Sequence, residues 1–170
     1  MKNLYEIDSA FEKQDIDLLD KYYKTKFPAI KTIERITDYD LQRKGVDVIL
    51  TSKKGLQLKI DEKKRRKFYG DLFLERYSSY EKKTPGWGAK LFQKGYLTDI
   101  LAVFFMDKRI VYWLNVEILK NWIIKNKYKF GTGLKPIFNQ IQQYKNTNIN
   151  YHSMGYVIPF DELGIQPERF

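Results

Sequence analysis

The chain has no cysteine and a single histidine, His152, in 170 residues. The first absence excludes disulfide cross-links, thiolate zinc sites and a cysteine nucleophile. The second excludes any site that needs two imidazoles from this chain. No apolar run approaches the ~20 residues that a membrane-spanning helix needs. The longest, from Ile100 to Met106, is strand-sized. No apolar segment flanked by positive charge opens the chain, so a secretory signal is not expected and the expected location is the cytoplasm. No internal repeat or low-complexity linker divides the sequence, and residues 1–170 read as one domain, long enough to bury a core without staples.

Carboxylates, lysines, hydroxyls and backbone are what remain for chemistry. A metal held by them would be hard and oxygen-seeking, meaning Mg²⁺, Mn²⁺ or Ca²⁺. Acidic groups are outnumbered, with 21 Asp and Glu against 31 Lys and Arg, a net charge of +10. That balance favours a polyanionic partner, nucleic acid before an anionic membrane surface. The abundance of Lys, Ile, Asn, Tyr and Phe suits an AT-rich genome, such as many bacteria and phages have.

The most informative stretch is Leu56–Lys64. Leu56, Leu58 and Ile60 alternate with Gln57, Lys59, Asp61 and Lys63, the period-two signature of a strand with unlike faces. Before it, Val46–Thr51 reads as another strand, and Ser52-Lys53-Lys54-Gly55 as the turn between them. A three-residue loop with Gly55 at positive φ sets the register. Leu50 then faces Leu58, Val48 faces Ile60, and Asp47 faces Asp61. A two-residue loop would mix the faces, and burial penalises such a slip because it flips every side chain. Directly paired Cβ atoms lie about 4.5–5.5 Å apart. Two facing carboxylates repel unless a cation joins them. Lys63 on the same face eases that conflict, and a divalent ion removes it. The bland alternative is a salt-bridged sheet surface, although aspartate is disfavoured in strands.

The remaining elements are read in chain order. Residues 4–26 carry helical spacing, in one or two pieces, ended by Pro28. Lys31–Ile36 reads as a strand and residues 37–45 as a polar loop. Asp71–Ser78 reads as a third strand, with Leu72 and Leu74 on one face and Phe73, Glu75 and Tyr77 on the other. In the loop Thr84–Gly88 glycines flank Trp87, which is either a core plug or a platform on which bases stack. Tyr96–Met106 reads as a central strand, turned at Asp107-Lys108 into Ile110–Leu114. Asn115 is the expected N-cap of a helix over Val116–Tyr128, whose stripe is Val116, Leu119, Trp122 and Ile123. A short helix is expected over Ile137–Tyr144 and a last strand over Tyr151–Phe160. His152 reads as a surface histidine.

Asp47, a hairpin, and then Asp61-Glu62-Lys63 resembles the PD-(D/E)xK nuclease superfamily. The resemblance covers roughly residues 15–115. Val46 stands where the signature has proline, and the run Gln42…Gly45-Val46-Asp47 is similar to the approach to the first aspartate in several phage and bacterial members. The glutamate Glu75 and the Gly86-Trp87 dipeptide are similar to later pieces of those members. The resemblance implies an α/β (α+β) fold, a restriction-endonuclease-like mixed central β-sheet flanked by helices. It implies a DNA endonuclease in which Asp47 and Asp61 hold Mg²⁺ or Mn²⁺, aided by the Glu62 carbonyl, with Asp47, Asp61 and Lys63 catalytic. Gln42, Glu62 and Glu75 are candidates to support those groups or to add an acidic ligand. Lys64, Arg65, Arg66, Lys67 and Trp87 are candidates to contact nucleic acid, DNA before RNA. Many members are dimers, which makes a homodimer an open expectation. A non-catalytic nucleic-acid-binding or anti-defence protein could use the same basic hairpin, and an unrelated α/β protein could carry the acidic pair by accident.

Overall fold

The computed structural model describes residues 15–141 and 151–170. Residues 4–14 of the expected helical stretch 4–26 lie outside them. The described elements run α1 (Ile16–Lys26), β1 (Ile30–Arg35), α2 (Tyr39–Arg43), β2 (Val48–Ser52), β3 (Gln57–Arg65), β4 (Asp71–Ser79), β5 (Thr84–Pro85) and α3 (Trp87–Lys90). They continue with β6 (Ile100–Phe105), β7 (Ile110–Asn115), α4 (Val116–Lys125), a 3₁₀ turn (Lys127–Lys129), β8 (Pro136–Ile141), β9 (Tyr151–Pro159), α5 (Phe160–Leu163) and β10 (Glu168–Arg169).

The strands form two sheets. The larger is mixed, in the order β1-β2-β3-β6-β7-β10, and the smaller is antiparallel, in the order β5-β4-β9-β8. At the hairpin the structure has the expected register: Val48 pairs with Ile60 and Leu50 with Leu58. Gly55 holds φ +82° at the turn, and its N–H donates to the Ser52 carbonyl. A Cβ at Gly55 would meet no neighbour, so Gly55→Ala tests backbone conformation alone. It should cost about 1 kcal/mol in urea unfolding, and no loss would show that the turn relaxes freely.

β3 joins β6 in parallel, Ile60 beside Ile100 and Lys63 beside Val103. That pairing makes β6 the middle of the sheet. Its residues Leu101, Ala102, Val103, Phe104 and Phe105 are all 2 % exposed or less, because both faces are covered. On one face α1 packs Leu19 and Tyr23 against Val48, Leu50, Ile60, Ala102 and Phe104. On the other, Leu72 and Leu74 of β4, Ile158 of β9 and Leu119 of α4 pack against Leu101, Val103 and Phe105. Fully burying one such side chain stabilises by about 1.5–3 kcal/mol.

Several expectations change. The third strand, Asp71–Ser79, belongs to the second sheet and not to the hairpin's sheet. The layer opposite α1 is therefore largely a sheet, not helices alone. The polar run after β1 contains α2, capped by Asp38, whose side chain accepts from the Leu41 N–H at 2.8 Å. The apolar strand starts at Ile100 rather than Tyr96. Residues Pro136–Ile141 form β8, paired with β9, where a helix was expected. Residues 142–144 of that expected helix lie outside the described residues. Asn115 does cap α4, accepting from the Ile118 N–H at 3.1 Å. No described helix is long and apolar enough to cross a membrane.

Candidate active site

The two aspartates meet where the β2–β3 ladder ends. Asp47 sits one residue before β2, and its N–H donates to the Ile60 carbonyl at 2.9 Å. Its carbonyl accepts from the Ile36 N–H at 2.8 Å. Its side-chain Oδ2 accepts from the Glu62 N–H at 2.9 Å. The Asp47 main chain is thus held by β3 and the end of β1, and its carboxylate by the Glu62 N–H of β3.

Asp61 follows Ile60 and so takes the face opposite α1. It is 2 % exposed, while Lys63 keeps 27 % of its side-chain surface, so the ammonium links the buried carboxylate to the cleft. Lys63 Nζ lies 2.5 Å from Asp61 Oδ1. Asp61 Oδ2 accepts from Tyr96 Oη at 3.0 Å. Tyr96 in turn packs on Gly45, where a Cβ would stand 2.3 Å from its ring. The Thr98 hydroxyl donates to the Gly45 carbonyl. This clip holds the segment before β6 against the approach to Asp47.

Burial pushes the Asp47 carboxyl up to about 7, and the neighbouring Asp61 adds to the rise. Lys63 and the Glu62 N–H oppose it. Burial alone would lower the Lys63 ammonium, but Asp61 and Asp47 outweigh it and hold the group above the usual lysine range. Burial likewise raises the Tyr96 hydroxyl, reinforced by Asp61.

Asp47 and Lys63 form one end of a cleft of about 680 Å³ that Lys64, Arg65, Glu75 and Lys90 also line, with Asp61 buried behind Lys63. Glu75 reaches it from the second sheet. Its Oε2 accepts from the Trp87 N–H at 3.4 Å, and Gly86 makes room, since a Cβ there would stand 2.5 Å from Glu75 Cγ. Burial raises the Glu75 carboxyl, opposed by the Trp87 N–H and by Lys63.

The other expected residues divide. Glu62 lines the cleft but bonds away from the aspartates, on the α1 side of β3. Arg35 Nη1 lies 2.9 Å from Glu62 Oε2, and the Tyr23 hydroxyl donates to Glu62 Oε1. Arg35 also donates to Asp20 Oδ1 at 2.7 Å. Glu62 is therefore no substitute for Asp61 as Lys63's partner. Gln42 lines the cleft and donates to the Ile36 carbonyl at 2.9 Å, so it supports the residue that holds Asp47. Lys64 and Arg65 line the cleft, whereas Arg66 and Lys67 lie past the end of β3, exposed. Trp87 does not project as a platform. It is 9 % exposed within the core cluster of Leu72, Leu74 and Leu91, and forms cleft wall.

Tyr96, Thr98 and Arg35 were not singled out from the sequence. Tyr96 comes beside Asp61 only because β3 and β6 pair in parallel, a long-range register with no local signal. Arg35 could have been suggested by its position in a strand next to β2.

A buried carboxylate pair with an ammonium beside it can hold a hard cation and, across the cleft, an anion. Asp61 Oδ1 already faces the Lys63 ammonium at 2.5 Å, so a cation held there would share that oxygen with Lys63. Among the described residues no three acidic or imidazole side chains gather as a metal cluster, so a cation held by Asp47 and Asp61 would need main-chain oxygens or waters to complete its shell. No protein-family model, no curated protein and no solved structure matches the chain, and the functional reading rests on the geometry of the site itself.

Proposed function

We propose that the protein is a Mg²⁺- or Mn²⁺-dependent nuclease of the PD-(D/E)xK type, with a restriction-endonuclease-like core, that hydrolyses DNA phosphodiester bonds. The observation that carries the reading is Asp47 held beside a buried Asp61–Lys63 pair, with Asp47 and Lys63 opening on a cleft lined by further cations. A divalent ion bound there supplies Lewis-acid polarisation and an acidified water. Asp47 and Asp61 are the residues that hold it. Tyr96 fixes Asp61 Oδ2 and leaves Oδ1 to Lys63 and the ion. Lys63, beside Asp61 and open to the cleft, orients the attacking water or offsets charge growing on the phosphate in the transition state. Lys64 and Arg65 hold neighbouring phosphates in register, a salt-sensitive contribution. Glu75 adds negative charge on the facing wall of the cleft.

The test is incubation of the protein with supercoiled, linear, single-stranded and branched DNA in Mg²⁺, with Asp61→Asn as control. Cleavage lost in the variant supports the proposal; equal cleavage by both would overturn it. No cleavage and no metal uptake would favour the non-catalytic nucleic-acid-binding reading.

Metal uptake has its own pH signature. Asp47 must be ionised to bind a cation, and its carboxyl is raised to about 7. Mn²⁺ affinity should therefore rise up to about tenfold per pH unit below 7 and flatten above it, with proton release on binding. For the metal-free protein the sign is the reverse. A carboxyl raised in the folded state contributes stability that is full below its unfolded value and lost as pH rises through about 7. Calorimetric titration of Mn²⁺ across that range checks the first and thermal melting without metal the second, and a pH-independent affinity would refute the assignment of Asp47 as a ligand.

A further inference from the structure

A second cavity, of about 380 Å³, adjoins the cleft and shares Lys63, Arg65 and Trp87 with it. We propose that this cavity receives a nucleobase, and that the substrate presents an unpaired nucleotide next to the scissile phosphate. The inference rests on the nuclease reading and narrows it from DNA to DNA with an unstacked base at the site.

The lining argues for a flat aromatic guest. Phe73 forms part of the wall, and its ring is seated over Gly155, where a Cβ would stand 2.8 Å from Phe73 Cζ. Only a residue without a side chain leaves that ring its place. The Arg65 guanidinium lies over the Phe73 ring, 5.8 Å from its centroid. Tyr69 also contributes to the lining and is 68 % exposed, with Lys67 Nζ 5.9 Å from its centroid. An exposed tyrosine under a lysine, next to a ring paired with an arginine, is the combination that takes a base face and its phosphate together. Asp71 adds an acceptor suited to an exocyclic amine.

Continuity supplies the geometry. Lys63 contacts Asp61 and lines both spaces. A strand whose phosphate lies by Lys63 has its adjoining base directed to the second cavity or to a stack outside the protein. In an intact duplex that base is paired and stacked, and must be turned out to enter. A single strand, a flap or a distorted junction offers it at no such cost.

The experiment measures binding by fluorescence anisotropy in excess chelator, so that no cleavage occurs, using a single-stranded oligonucleotide and the matching blunt duplex. Tyr69→Ala removes an exposed side chain and leaves the core alone. It should weaken single-strand binding by roughly fivefold or more, the scale of one lost base–aromatic contact, while duplex binding stays within about twofold. Phe73→Leu should give the same selective loss. A single abasic nucleotide, scanned along the strand, should reproduce that loss at one position in the wild type and add nothing to it in Tyr69→Ala. Equal losses on both substrates, or none on either, would overturn the inference. Because no step needs catalysis, inactive protein in Mg²⁺ would sink the nuclease reading and leave this result standing. Active protein without strand selectivity would sink this inference alone.

Discussion

Asp61→Asn is expected to lower Mg²⁺-dependent cleavage on the order of a thousandfold, while Glu62→Gln stays within a few-fold of wild type. The two residues are chain neighbours with similar chemistry, so the contrast isolates the face of β3 that does the work. Asp61 contacts Lys63 and Tyr96, whereas Glu62 is held by Arg35 and Tyr23 on the other side. Asparagine keeps the shape and can still take the Tyr96 hydrogen bond, but loses the charge that a cation and Lys63 need. Alanine is the weaker choice, because it would leave a cavity and strand the Lys63 ammonium beside Asp47 alone. Thermal melting of both variants confirms that the fold persists. Full activity in Asp61→Asn, or its loss only in Glu62→Gln, would reverse the assignment.

The largest effect on stability is expected at Arg35. The Glu62 side chain is 6 % exposed, and Arg35 is its cationic partner at 2.9 Å. Arg35→Met leaves that carboxylate half-satisfied by Tyr23, part-buried at the wall of the cleft. Removing one partner of a buried pair costs about 3–5 kcal/mol. For a chain of this length that corresponds to a fall in Tm of roughly 10 °C. The sign of the double variant separates mechanism from simple loss of contacts. Arg35→Met with Glu62→Met removes both charges and should recover much of the loss, because an apolar pair of similar volume often equals a buried ion pair. If Arg35→Met costs under about 1 kcal/mol, the network is a solvated surface contact and not a buried one.

What could be read from the sequence follows the range of the interactions. The β2–β3 register was legible because two local signals agreed, the alternation of Leu56, Leu58 and Ile60 and a glycine where the turn needs positive φ. The same signals placed Asp47 and Asp61 together and put Lys63 on the face of Asp61. The placement of Glu75 on a separate sheet was not legible, since a strand's own pattern does not say which sheet it joins. Tyr96 was hidden for the same reason, as its approach to Asp61 depends on the parallel pairing of Ile60 with Ile100. The short helix α2 has five residues, below the length at which a helix stands alone, and its cap on Asp38 is the one local trace of it. β8 was misread because a short apolar run such as Ile137-Phe138 suits either state and is decided by its pairing with β9.

β3 carries two independent assignments on alternating residues. Ile60 and the ion pair of Glu62 belong to the α1 side, whereas Asp61 and Lys63 pair on the opposite face, where Lys63 reaches the cleft. The strand therefore works as a reading frame of period two. Conservative substitutions at single positions disturb one face at a time. Gaining or losing one residue between Gly55 and Asp61 would exchange the faces of everything after it, seating the acid and the lysine under α1 and exposing isoleucine to the cleft. Length changes in this lineage should thus collect outside that short interval, in turns such as Lys53-Lys54, where an added residue shifts no frame that matters once the strands re-pair.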